Sequence, residues 1–260
     1  LEENIRSLIT GFLKGKVLSD EPLSRHTSLK VGGPADLFVI PADLGDLRAL
    51  LDLLAARGIP RLVIGGGYNL LVRDGGFRGV VISLEGLVRL EQLDGKRIYA
   101  EAGVTTGALI RFAEEKELAG LEFLSGIPGT IGGALCMNSG AHGEAILDRV
   151  ERVTTIRGEE LTVTERTGLN FGYRQLALAP EEIVISATFQ MAAGSAAEIV
   201  GRIEVFLAHR RNAQRVGYPS TGSFFKNPEE KQAWLLIDEA GLRGYRVGGA
   251  QVAEAHANFL

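Results

Sequence analysis

Apolar residues return at helical spacing near the start of the chain, where Ile5, Leu8, Ile9 and Phe12 share one face of the segment from Glu2 to Leu13. A second stripe, Leu44, Leu47, Leu50, Leu51 and Leu54, predicts a helix from Asp43 to Arg57. Asp43 can cap its start, and Gly58 with Pro60 ends it. Thr105 or Thr106 opens a third helix running to about Lys116. A fourth, Ala196 to Arg211, turns Ile199, Ile203, Phe206 and Leu207 inward. Trp234 to Ala240 is a short helix stopped by Gly241. Short apolar runs predict strands at Asp36 to Ile40, Arg61 to Ile64, Val80 to Leu84, Arg97 to Ala102 and Ile183 to Met191. Val150 to Ile156 and Leu161 to Thr164 read as a hairpin around Arg157-Gly158. This mixture, with no internal repeat, predicts an α+β fold. Its weakest point for a domain boundary is Ser139 to Asp148.

Composition narrows the class. The chain has 260 residues, 45% of them apolar, enough to bury a substantial core. A net charge of -4 does not favour a nucleic-acid partner. No apolar run of about 20 residues exists, so no membrane span is expected. Leu1 is not a usual initiator, and the start lacks a signal-peptide charge pattern, so a cytoplasmic location is the expectation. The single cysteine, Cys136, excludes an intrachain disulfide and is expected as a small buried residue. His26, His142, His209 and His256 show no metal-ligand spacing, and no metal is expected.

Glycine is abundant, at 34 residues, and clustered. Gly65-Gly66-Gly67-Tyr68-Asn69 follows a strand directly. Such a run permits positive φ and exposes successive N–H groups that can hold a pyrophosphate, or it simply makes a tight connection. The residues after it, Leu70-Leu71-Val72, look like a further strand. Ser125-Gly126-Ile127-Pro128-Gly129-Thr130-Ile131-Gly132-Gly133-Ala134 is the second cluster. Packing alone rarely needs so many glycines together, and two such loops suit a long ligand with a diphosphate and a ring system, such as a dinucleotide.

Thr27 to Asp36, Gly65 to Val72, Ser125 to Ala134 with Met137-Asn138-Ser139-Gly140-Ala141, and Phe171-Gly172-Tyr173-Arg174 stand in an order that is itself informative. Gly222-Ser223-Phe224-Phe225-Lys226-Asn227-Pro228, Gly241 to Gly244 and His256-Ala257-Asn258-Phe259 complete it. Across nearly the whole chain this resembles the UDP-N-acetylenolpyruvoylglucosamine reductases, in the shorter subtype that lacks an inserted tyrosine-bearing loop. Tyr68 stands where that family usually has Ser, and Arg215 where a Pro often follows Gln214.

The resemblance implies an FAD-binding domain of the vanillyl-alcohol-oxidase (PCMH) type over residues 1–220, in two α+β subdomains divided near residue 90. It implies a smaller α+β substrate-binding domain over 221–260. FAD would be held non-covalently by Gly65, Gly66, Gly67, Tyr68, Asn69, Leu70, Gly75, Gly76, Ser125, Gly126, Ile127, Pro128, Gly129, Thr130, Gly132, Gly133, Ala134 and Ile185. NADPH would be the electron donor and an enolpyruvyl UDP-sugar the substrate, in a cytoplasmic step of peptidoglycan synthesis with no protein partner implied. Asn138, Tyr173, Lys226 and Asn227 would bind that substrate. Arg174 would steady the charge developing on its carboxylate, and Ser223 would donate a proton.

Two alternatives follow. Another flavin oxidoreductase of the same fold would make His142 the residue for covalent attachment, a reading the Ser223 motif opposes. An inactive nucleotide-binding relative is the other. Related chains continue past the HANF motif with a helix and a strand bearing a catalytic Glu, whereas this one ends at Phe259-Leu260. The expectation is therefore that it folds, binds FAD and turns over slowly. Glu254 is rejected as a substitute for that Glu, and Asp238-Glu239 is expected to cap or solvate a helix.

Overall fold

The computed structural model describes residues 1–213 and 217–260, so Arg215 lies outside the described residues. The chain opens with α1 (Glu3–Phe12), β1 (Lys16–Pro22), β2 (Pro34–Ile40), α2 (Leu44–Ala56), β3 (Arg61–Ile64) and β4 (Phe77–Ser83). The strands form one sheet in the order β1-β2-β4-β3, antiparallel at β1–β2 and parallel elsewhere. Leu37, Val39, Val80 and Ile82 meet Leu47, Leu50, Leu51 and Leu54 of α2 on one face, while Phe38 and Val81 are buried on the other. That two-sided burial is why β2 and β4 read as continuous apolar runs. Asp43 caps α2, its side chain accepting from the Asp46 N–H at 2.8 Å. Removing any of these leucines to alanine would cost about 2–5 kcal/mol.

The chain continues through β5 (Leu90–Gln92), β6 (Arg97–Glu101), α3 (Thr106–Glu115), β7 (Leu118–Ala119), α4 (Ile131–Cys136), β8 (Gly140–Ala141) and β9 (Glu144–Ala145). Next come β10 (Val150–Arg157), β11 (Glu160–Glu165), β12 (Phe171–Gly172), β13 (Gln175–Leu176) and β14 (Ile183–Gln190). A second, antiparallel sheet runs β11-β10-β14-β6-β5. It covers its own core with α3 and α4. Last are β15 (Ala192–Ala193), α5 (Ala196–Ala213), α6 (Ala233–Glu239), β16 (Arg246–Val247) and β17 (Ala250–Gln251).

Several expectations are corrected. Ser139 to Asp148 is no boundary: Ile146 and Leu147 are fully buried in the second core. Leu8 is exposed, because α1 turns only Ile5 and Ile9 fully inward. Leu70 to Val72 is not a strand but part of the connection between β3 and β4. Strand β1 carries too many polar residues to show an apolar period, and only its pairing with β2 defines it. Asp238 and Glu239 are ion-paired, with Arg243 and Lys231 respectively.

Candidate functional site

Parallel neighbours need a connection that returns across the sheet end. Between β3 and β4 that connection, 65–76, contains no helix and carries the first glycine run. Its backbone is pressed against other backbone. A Cβ on Gly67, whose φ is +69°, would collide with the carbonyl of His26, and one on Gly65 would lie 2.6 Å from Thr130 Oγ1. A Cβ on Gly132 would lie 3.0 Å from that of Ala102. The two glycine loops therefore meet at a separation only glycine allows. None of the five successive N–H groups from Gly65 to Asn69 donates to another backbone group among the described residues. Five adjacent donors without a backbone partner are what an anion cradle requires.

The loop borders a cleft of about 1670 Å³. The cleft exceeds the roughly 300–1,000 Å³ that a single small ligand requires, so it has room for a dinucleotide and a second ligand together. Gly65 to Leu70 line it, as do Ile127, Pro128, Gly129, Thr130, Gly132, Gly133 and Ala134. Tyr68 stands at its mouth, where a Cβ on Gly66 would lie 2.9 Å from the phenol ring and one on Gly129 would lie 3.9 Å away. Cys136 lines the cleft half-buried rather than lying fully inside, and burial raises its thiol pKa.

Tyr173, Arg174, Ser223, Lys226 and Asn227 reach the same cleft from segments fifty residues apart in sequence. Arg174 has a left-handed backbone, φ +56°. Its Nη2 donates to the Gly140 carbonyl at 2.7 Å and its Nη1 to the Asn138 carbonyl at 3.5 Å, and the guanidinium carbon lies 5.3 Å from the Tyr173 ring centroid. Five guanidinium N–H groups exist, so these contacts fix the fork and leave donors for a ligand. Asn227 accepts from the Ala233 N–H at 3.0 Å, which fixes the start of α6 and leaves its amide NH₂ available.

Six expected site residues do not line the cleft. Asn138 is buried, donating to the Gly172 carbonyl at 3.0 Å and accepting from Leu147 N–H at 3.2 Å, so both ends of its amide are used internally. Gly75 and Gly76 belong to the turn before β4, and a Cβ on Gly76 would collide with the carbonyl of Pro34. Ser125 is buried with its hydroxyl unpartnered among the described residues. Gly126 packs against the Arg210 stem. Ile185 is in the core between the two sheets, its carbonyl accepting from Ala102 N–H at 2.7 Å. Conversely, His209, Arg210, Trp234, His256 and Asn258 line the cleft without an expected site role, and His142, the attachment residue of the alternative flavin reading, lines it too. The positions of His209 and Arg210 on the polar face of an amphipathic helix carried no signal of their own.

The FAD binding domain family model matches residues 35–165. The model for the UDP-N-acetylenolpyruvoylglucosamine reductase C-terminal domain matches residues 214–260. The UDP-N-acetylenolpyruvoylglucosamine reductase of Geotalea uraniireducens is 59% identical over all of this chain and 87% of its own length. That of Geobacter sulfurreducens is 55% identical over the same shares. The crystal structure of the Thermus caldophilus enzyme superposes with a TM-score of 0.82 at 32% identity, covering 95% of this chain and 88% of that one. A solvent-stable cholesterol oxidase, 16% identical, shares the fold with a TM-score of 0.53 over 69% of this chain and 38% of its own.

Proposed function

This chain belongs to the UDP-N-acetylenolpyruvoylglucosamine reductase family, and from that premise we propose how its cleft serves the NADPH-dependent, FAD-mediated reduction of UDP-N-acetylglucosamine enolpyruvate to UDP-N-acetylmuramate. The observation that carries the proposal is the run of five unused N–H groups, Gly65 to Asn69, in a cleft that also receives Arg174 and Ser223. Gly65 to Asn69 would hold the FAD diphosphate, and Ile127 to Ala134 would line the flavin. Residues 1–220 hold the cofactor, and 221–260 supply the substrate side. Among the described residues no helix is long and apolar enough to cross a membrane, and we place the reaction in the cytoplasm.

FAD held by these residues would supply the hydride transfer, from NADPH to the terminal alkene carbon. The chain's own side chains manage the charge this creates. Negative charge develops on the neighbouring carbon and spreads into the substrate carboxylate. Arg174, held by the carbonyls of Asn138 and Gly140, directs its remaining N–H groups at that carboxylate. A preset cation of this kind needs no reorganisation as charge appears. Ser223 Oγ, exposed to the cleft, gives its proton to the charged carbon. A serine is a weak acid, so the alkoxide left behind needs nearby positive charge, for which Lys226 is the candidate on the same wall. The amide NH₂ of Asn227 binds substrate oxygens.

Two measurements test this placement. Purified protein should show flavin absorption that NADPH bleaches and the enolpyruvyl substrate restores. Gly66→Val and Gly129→Val should each lose FAD while the apoprotein keeps its far-ultraviolet circular dichroism. Unchanged flavin content in both variants would remove the cofactor from these loops.

A further inference from the structure

Arg174 sits in the turn of the β12–β13 hairpin, which pairs only Phe171 with Leu176 and Gly172 with Gln175. So short a ribbon does not hold its shape alone. Phe171 and Leu176 pack on the second core and fix its base. The tip has no such support, because Gly172 brings no side chain and Tyr173 is exposed. Asn138, two residues past the end of α4, reaches it instead. Its Nδ2 donates to the Gly172 carbonyl at 3.0 Å, while its Oδ1 accepts from the N–H of the fully buried Leu147 at 3.2 Å. One buried amide thus joins the second core to the hairpin tip. The backbone of Asn138 is tied at both ends as well. Its N–H donates to the Leu135 carbonyl of α4 at 3.0 Å, and its carbonyl meets Arg174 Nη1. Among the described residues, the polar contacts from elsewhere to 172–175 are the Asn138 amide and the two bonds that Arg174 itself makes.

We infer that Asn138 is a positioning residue for Arg174: its side-chain amide latches the Tyr173–Arg174 turn to the end of α4 and so sets where the guanidinium stands relative to the glycine loop that opens that helix. The inference rests on the role proposed above for Arg174. Without the latch, the guanidinium would be left as the polar anchor of its own turn, and any movement of the turn would move the fork. A misplacement of about 1 Å at a reacting group costs on the order of 100-fold in rate. The residue type fits the task. Asn138 has a left-handed backbone, φ +37°, a conformation that asparagine adopts more readily than most residues that carry a side chain. Glycine would keep that backbone and lose the latch, whereas aspartate would keep the acceptor for Leu147 and lose the donor for Gly172. Backbone and latch can therefore be separated by substitution.

The test uses the full chain loaded with FAD and follows each half-reaction separately. Asn138→Gly should slow flavin reoxidation by the enolpyruvyl substrate roughly 10–100-fold, with FAD content and reduction by NADPH unchanged. Amide exchange over Gly172 to Leu176 should quicken in the same variant, while exchange across β10 stays as in the wild type. Asn138→Asp should slow the same half-reaction and decides the matter if the glycine variant does not fold. Arg174→Lys separates positioning from plain structural support. Lysine has no fork to orient, so in that background Asn138→Gly should slow reoxidation by less than about threefold. Losses that multiply in the double variant, equal slowing of both half-reactions, or wild-type reoxidation and exchange in Asn138→Gly would each overturn the proposal. Wild-type reoxidation in Arg174→Lys would instead overturn the role of Arg174 on which it rests.

Discussion

The two walls of the cleft are built differently. The glycine-loop wall grows out of two sheets whose buried cluster members run from Ile5 to Met191. The segment 217–260 contributes no member to those clusters. Its buried residues are few, Ala233, Ala253, Ala257, Asn258 and Phe259, and it is organised by polar contacts. Asn258 donates to the Phe225 carbonyl and accepts from the Phe225 N–H, both at 2.9 Å, while its own carbonyl accepts from Phe224 N–H at 3.0 Å. Arg243 bonds Asp238 and the Glu254 carbonyl. Packing is cooperative and unforgiving, whereas a hydrogen-bonded hub can open locally. Mutations that reach the sheet cores should therefore act through the fold, and mutations in 217–260 through binding and chemistry.

The largest effect should fall on the substrate side. Ser223→Ala is expected to slow flavin reoxidation by the enolpyruvyl substrate about 10²–10⁴-fold, leaving reduction by NADPH and Tm nearly unchanged in stopped-flow and melting measurements. Equal slowing of both half-reactions would give Ser223 a structural role and erase the contrast. Next, Gly76→Ala should destabilise the protein by on the order of 3 kcal/mol, because its φ of +68° and the Pro34 carbonyl both oppose a side chain. Denaturant unfolding should show the loss, and surviving folded protein should still bind FAD. A normally stable variant with weakened FAD would return Gly76 to the cofactor site.

Asn258→Ala should cost about 1–3 kcal/mol, expressed as a higher substrate KM and faster amide exchange over Phe224 to Asn227, with flavin content intact. Lost flavin would show the two walls to be one unit. The smallest effect concerns pH. His256 is half-buried beside Phe259, its Nδ1 accepting from the Asn258 N–H at 3.2 Å. Burial lowers its pKa, opposed by a backbone hydrogen bond and aided by the Arg243 charge. The unfolded chain then takes up the proton first as pH falls through its ordinary value of about 6.5. Stability is whole above that value and declines below it, until the folded histidine also protonates. Tm should drop slightly between pH 7.5 and 5.5, and His256→Gln should flatten that slope.

The helices α2, α3 and α6 were legible because their signals are local: an apolar stripe with Asp43, a Thr105 cap, and a stop at Gly241. The two glycine loops were legible as places of close backbone approach because such clusters are rare elsewhere. Sequence order also carried the family, since motifs spread along the chain keep their succession whatever the fold does with them. Tertiary structure alone decided which glycine in a run borders the cleft and which serves packing. Gly66 and Gly129 border the cleft, whereas Gly76 and Gly126 make room for Pro34 and Arg210. It also set Asn138 inward and brought His142 from a hairpin against His209 and Arg210 on a helix. A positive φ or a missing side chain looks the same in sequence whether the space it frees is filled by a ligand, a carbonyl or an arginine stem, because the occupant comes from a distant part of the chain.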